Sequence, residues 1–195
     1  MASRDLLTLP LLVVPHVLFP GSRLQLTLTQ PESIELLEDV IQRDSTFVVI
    51  SEKPNQELFP VGTTARVVES LRDATAMTIT VVGVQRVSLL SYRHQGARLV
   101  GQCRYAVDQD DAVPPPLTEE AWALGSELFG AVAHGDRRAL PQNATGLSYW
   151  IAAHVPLALA VRQELLEISS TRARLAKEIS LMRTLLDGFR AEHSG

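Results

Sequence analysis

The chain has 195 residues, 46% of them hydrophobic, and a formal net charge of −4 at pH 7. That apolar content is enough to bury a core and excludes a disordered chain, while no apolar run reaches the ~20 residues that cross a bilayer. The acidic balance, with no basic stripe, argues against nucleic acid as a partner, and the single Cys103 excludes an internal disulfide and fits a reducing cytosol.

The first stretch, Leu6 to Phe19, is mostly apolar and follows Arg4, so it imitates a secretory leader. Pro10, Pro15 and Pro20 break any helix there, because proline lacks the amide proton and clashes one turn back. Asp5 sits beside Arg4 and no small-residue cleavage site follows, so the stretch reads as mature protein. It predicts short buried strands closed by a Pro20-Gly21 turn, with Gly21 taking a positive φ.

Arg23 to Leu28 alternates with period two, Leu24, Leu26 and Leu28 on one face, and predicts a half-buried strand. A helix follows. Thr29 and Glu32 have the spacing of a capping box, and Ile34, Leu37, Val40 and Ile41 form its inward stripe. Phe47 to Ile50, Gly62 to Ser70, Met77 to Val84, Gln85 to Tyr92 and Ala97 to Tyr105 read as further strands. Leu71 to Thr75 and Arg93 to Gly96 are the loops between them. Short, closely spaced strands of this kind point to a barrel or sandwich.

Composition then changes. Asp108-Gln109-Asp110-Asp111 and Pro114-Pro115-Pro116 mark a polar, stiff boundary, read as a solvated linker between units 1–112 and 117–195. Beyond it the pattern is helical. Thr118 is placed to cap a helix with Glu119 and Glu120 in its first turn and a stripe of Leu117, Ala121, Leu124, Leu128 and Val132. His134 to Thr145 reads as a loop, Leu147 to His154 as a short helix ended by Pro156, and Ala158 to Ile168 as another. The last helix starts after Ser169-Ser170, with Leu175, Ile179, Met182, Leu186 and Phe189 at four-three spacing. The fold class is therefore α+β, a β lobe followed by an α-helical lobe.

No catalytic constellation stands out. There is no phosphate loop, since neither Lys53 nor Lys177 follows a glycine, and no Gly-x-Ser-x-Gly elbow. Cys103 shares its strand face with Leu99 and Tyr105 and reads as a small core residue. His16, His94, His134, His154 and His193 show no ligand spacing, and Asp108, Asp110 and Asp111 lack the glycine of a calcium loop, Val113 standing there. No metal or other cofactor is expected. Trp122, Tyr149 and Trp150 are the candidate peptide-groove residues, weighed against plain packing of helices on the barrel.

Five stretches in order carry a family resemblance: Leu9-Pro10-Leu11 with Val17-Leu18-Phe19-Pro20-Gly21 and Leu24-x-Leu26; Gly62 to Val68; Gly83-Val84-Gln85-Arg86-Val87; Ala152 to Leu157; and Gln163 to Glu167. Together they resemble the Lon substrate-binding (Lon N-terminal) domain family. Gln25 stands where that family often has proline, and Thr27 to Glu32 departs from its common run. The resemblance implies a PUA-like β pseudo-barrel followed by a helical lobe, in a cytoplasmic bacterial protein. In full-length Lon proteases the ATPase and the Ser-Lys protease lie beyond this domain, so a chain ending at Gly195 is expected to be a free-standing, non-enzymatic member. The expected function is binding of exposed polypeptide or a protein partner in proteolysis-related quality control, through an apolar groove between lobes and strand edges that accept an extended chain. RNA binding, common among PUA-like barrels, is the alternative.

Overall fold

The computed structural model describes residues 6–109, 111–132 and 141–192. They divide into two compact units, Met1–Val107 and Asp108–Gly195. The first holds six strands and one helix and the second four helices among the described residues, an α+β arrangement.

In the first unit, β1 (Leu7–Val13), β2 (Arg23–Leu28), β3 (Phe47–Ile50), β4 (Val61–Arg72), β5 (Met77–Gln95) and β6 (Arg98–Tyr105) form one mixed sheet in the order β2-β5-β4-β3-β1-β6. A further β5–β6 pairing closes the ring. The closure rests on the length of β5. Its first half lies between β4 and β2, and its second half takes β6 in place of β2. Sequence reading divides this strand at Val84; the backbone runs on, because β4 pairs with it on both sides of that division, Ala65 with Gly83 and Thr63 with Arg86.

β1 also changes neighbours. Leu7 to Pro10 pair antiparallel with β6, and Leu11 to Val13 pair parallel with β3. Pro10 stands at the changeover, where the missing N–H costs least. The turn after the apolar run forms as expected: Gly21 has φ +77° and donates to the Gly83 carbonyl at 2.8 Å.

The helix α1 (Pro31–Gln42) packs on the sheet through Ile34, Leu36, Leu37 and Val40. Two expectations fail here. The N-cap is Gln30 with no side-chain cap bond, because Pro31 sets the first helical turn one residue beyond the position at which Thr29 could cap it. Ile41 is exposed and Leu36 takes its place in the core. One core layer joins α1 to β1–β5, including Leu12, Leu26, Phe47 and Ile79. A second fills the closed ring with Leu11, Val48, Ile50, Val87 and Cys103.

The second unit consists of α2 (Pro115–Val132), α3 (Ala144–His154), α4 (Leu159–Glu167) and α5 (Thr171–Glu192). Helix α2 begins at Pro115, so Thr118 lies within its first turn rather than at its cap. Asn143 caps α3, its side-chain oxygen accepting from Gly146 N–H at 2.7 Å. The stripe Leu175, Ile179, Met182 and Leu186 of α5 is buried against Ala121, Leu128, Leu147 and Ile151, with Phe189 packed at its edge. The side chain of Val132, with Asp110, His134, His193 and most of the expected 134–145 loop, lies outside the described residues.

Candidate functional site

The three aromatic candidates have different surroundings. Trp122, on α2, is 41% exposed. Phe129, two helical turns on, meets the Trp150 ring edge-on at 4.5 Å between centroids. Trp150 in turn stacks on His154, one turn along α3, at 4.3 Å and 20°. His154 Nδ1 lies 2.8 Å from the Trp150 carbonyl oxygen, which fixes the imidazole over the indole. Phe129 and Trp150 are partly buried at the margin of the helical core. Tyr149 faces the other way. It is 6% exposed, its hydroxyl donates to the Asp108 carboxylate at 2.7–2.8 Å, and its ring lies 4.1 Å from the Arg174 guanidinium. The one-residue step from Tyr149 to Trp150 turns the side chain by ~100°, enough to separate interior from rim.

Tyr149 leads into a buried polar network that sequence reading did not find. Arg174 is fully buried and donates to Ser148 Oγ at 2.7 Å and to the Ile168 carbonyl at 2.7 Å, with Asp108 at 3.5 Å. Ser148 Oγ donates onward to Glu178 Oε1 at 3.0 Å. Burial pushes the Glu178 carboxyl well above its ordinary value, against the smaller opposing pull of Ser148 and Arg174. Arg174 and Glu178 sit four apart on α5, a spacing also common on solvated helix faces, so nothing local marked them as interior.

The acidic cluster is not the solvated linker that its composition suggests. Asp108 holds Tyr149 and Arg174, and Asp111 accepts from Ser170 Oγ at 2.5 Å and from Arg172 N–H at 3.3 Å. The bond from Ser170 is the main reason that the Asp111 carboxyl is held below its ordinary range.

In the barrel unit, a cleft of about 390 Å³ opens between the start of α1 and the tip of the β5–β6 hairpin. Leu11, Leu12 and Val13 of β1 form its floor. Ser33 and Leu36 stand on one wall, His94 and Leu99 on the other. Arg98 ties the walls together, donating to Asp39 Oδ2 at 2.8 Å and reaching the Glu35 carbonyl at 3.5 Å. A smaller hollow of about 210 Å³ lies beside Ile41, Arg66 and Val68.

None of this assembles a nucleophile with its base. Cys103 is fully buried, and burial pushes its thiol up to about 11, so the thiolate is suppressed. Its neighbour Tyr105, expected on the same buried face, is exposed because β6 ends there. Among the described residues no group of three or more His, Cys, Asp or Glu is placed to hold a metal ion, and no helix is long and apolar enough to cross a membrane.

Comparison with known proteins agrees with the fold. The family described as the ATP-dependent protease La (LON) substrate-binding domain matches residues 8–184. The Lon protease of Buchnera aphidicola subsp. Schizaphis graminum is 27% identical over 205 residues, covering 97% of this chain and 25% of that protein. The Escherichia coli K12 Lon protease is 25% identical over 207 residues, covering 97% and 25%. That of Xanthomonas oryzae pv. oryzae is 30% identical over 205 residues, covering 94% and 23%. The chain thus spans about a quarter of the length of these relatives. Two solved structures are similar in fold. A Lon N-terminal domain protein from Xanthomonas campestris has a TM-score of 0.73 at 21% identity, covering 89% of this chain and 98% of that one. The N-terminal domain of Mycobacterium avium complex Lon protease has 0.75 at 17%, covering 90% and 98%.

Proposed function

Because the chain belongs to the LON substrate-binding domain family, we propose that it is a non-catalytic, cytoplasmic module that binds exposed segments of polypeptide on behalf of proteolysis. The family match across residues 8–184 carries this reading. It concerns the substrate-binding domain of the relatives and neither their ATPase nor their protease domain.

The geometry is consistent with such a role. Trp122 offers an exposed indole, the residue type that most often anchors a protein contact. The cleft over β1 offers an apolar floor with polar edges. The only cysteine is buried in its thiol form, which fits the absence of covalent chemistry from the proposal. RNA binding is the weaker reading, since a net charge of −4 gives phosphate little attraction.

The test is a fluorescence-anisotropy titration of the whole protein with a labelled unfolded polypeptide and a labelled RNA, at low and high salt. Polypeptide binding is expected in the micromolar range, ~8 kcal/mol, and nearly independent of salt. Binding confined to RNA and lost as salt rises would overturn the proposal.

A further inference from the structure

We propose that the cleft over β1 is a strand-acceptor site, in which an extended segment of polypeptide hydrogen-bonds to the edge of β1 at Val13. The proposal rests on the polypeptide-binding reading and places it on particular residues.

The argument begins with β1's change of neighbours. Through Pro10 the strand has β6 beside it, and from Leu11 it has β3 on its opposite side. Strand β6 meanwhile stays with β5, His94 opposite Leu99 and Gln95 opposite Arg98. The two strands therefore part after Pro10, and among the described residues no strand is registered beside Leu12 and Val13 on the side away from β3. The peptide groups along a strand point alternately to its two sides. Val14 N–H bonds the Ile50 carbonyl at 3.0 Å, so even positions face β3 and Val13 faces the cleft.

A short strand edge that opens into a cleft is complementary to one kind of occupant, an extended main chain. The rest of the cleft fits the same occupant. Leu36 and Leu99 give its walls an apolar character suited to one inward side chain, while Ser33 and His94 border it with polar groups. The Arg98–Asp39 bond fixes the hairpin tip to α1, so the opening is held before anything enters. A preformed slot lowers the ordering cost of binding.

The experiment combines amide hydrogen exchange with the anisotropy titration on the whole protein, using a labelled peptide of alternating apolar and polar residues. Saturating peptide is expected to slow exchange at the Val13 amide about tenfold or more. Ser33→Trp, which fills the cleft from α1, is expected to weaken binding about tenfold with an unchanged melt. Peptides N-methylated at every second residue are expected to lose binding in one frame and keep it in the other, because only alternate amides face β1. If Ser33→Trp does not fold, the exchange and N-methyl arms decide on the natural chain. Peptide binding with unchanged Val13 exchange and no dependence on the methylation frame would overturn the site while leaving polypeptide binding intact. No peptide binding at any salt would overturn both. Val13 protection that grows with protein concentration alone would make the occupant a second copy and overturn the peptide proposal.

Discussion

Gly21 shows how far one residue can be read from its neighbours. The Phe-Pro-Gly ending of an apolar run predicts a positive φ, and the backbone adopts +77°. A Cβ at Gly21 would meet nothing within 4 Å, so space is not the constraint; the backbone conformation is. Gly21→Val is therefore expected to cost ~1–3 kcal/mol through strain, and Gly21→Asn less, since asparagine tolerates the left-handed region. Chemical denaturation of both variants checks the order, and equal losses would rule out backbone strain as the cause. Glu178 is the opposite case, a residue whose environment the sequence concealed. Its folded carboxyl titrates above its ordinary value of 4.5 because burial favours the neutral form. The folded state then holds a proton that the unfolded chain has released, so this group's contribution is fully present below 4.5 and is lost as pH rises through the raised folded value. Glu178→Gln keeps an oxygen for Ser148 Oγ–H and cannot ionise. The difference in stability between variant and natural protein should shift in the variant's favour as pH climbs from about 5 to 8. Denaturation curves at several pH values measure it, and a pH-independent difference would mean that Glu178 is charged throughout.

Elements were legible where periodicity is strong and one neighbour suffices. The Arg23–Leu28 alternation and the α5 stripe emerge as expected, because each buries one face against a single layer. Met182 is fully buried there, and Met182→Ala is expected to cost ~2–5 kcal/mol, whereas Thr184→Ala, whose side chain bonds its own helix on the exposed face, should change little. What the sequence hid was the exchange of neighbours along one strand. Strand β5 looks like two because its burial pattern alters near Gly83, where β2 gives way to β6. Gly83 marks the crossing. A Cβ placed on it would stand 2.3 Å from the Phe19 carbonyl oxygen, and its own N–H and C=O bond Ser22 and Gly21. Gly83→Ala should thus force the Leu18–Gly21 segment away from β5 and destabilise by ~1–3 kcal/mol. Broadened amide resonances at Phe19 to Ser22 would report the same displacement. The missing cap on α1 is a related failure of local rules. Thr29 and Glu32 have the spacing of a capping box, yet Pro31 fixes the helix start, and the tie that matters instead comes from Arg98, 59 residues away from Asp39.

At the scale of the whole molecule, composition located the change from strand to helix but misplaced what belongs to each side. Aspartates beside three prolines have the composition of a spacer, and that reading begins the helical unit at 117. The compact unit begins at Asp108, and its first residues are bonded into it. Asp108 accepts from the Tyr149 hydroxyl and pairs with Arg174, Asp111 accepts from Ser170 Oγ at the start of α5, and Val113 packs against the helical core. A composition window misses such roles because the bonding groups lie far along the chain. A fragment of residues 117–195 would keep Arg174 and Tyr149 and remove the carboxylate between them. Stripping one partner from a buried charge costs far more than the pair itself contributes, on the order of 3–5 kcal/mol. Residues 108–195 retain the network and should melt cooperatively well above residues 117–195. Asp108→Asn within the longer fragment separates charge from mere length. It keeps an acceptor for the Tyr149 hydroxyl and loses the charge facing Arg174, so it should fall between the two. Calorimetry of the three fragments decides the matter: if 117–195 melts with 108–195, the aspartates are the spacer that their composition suggests.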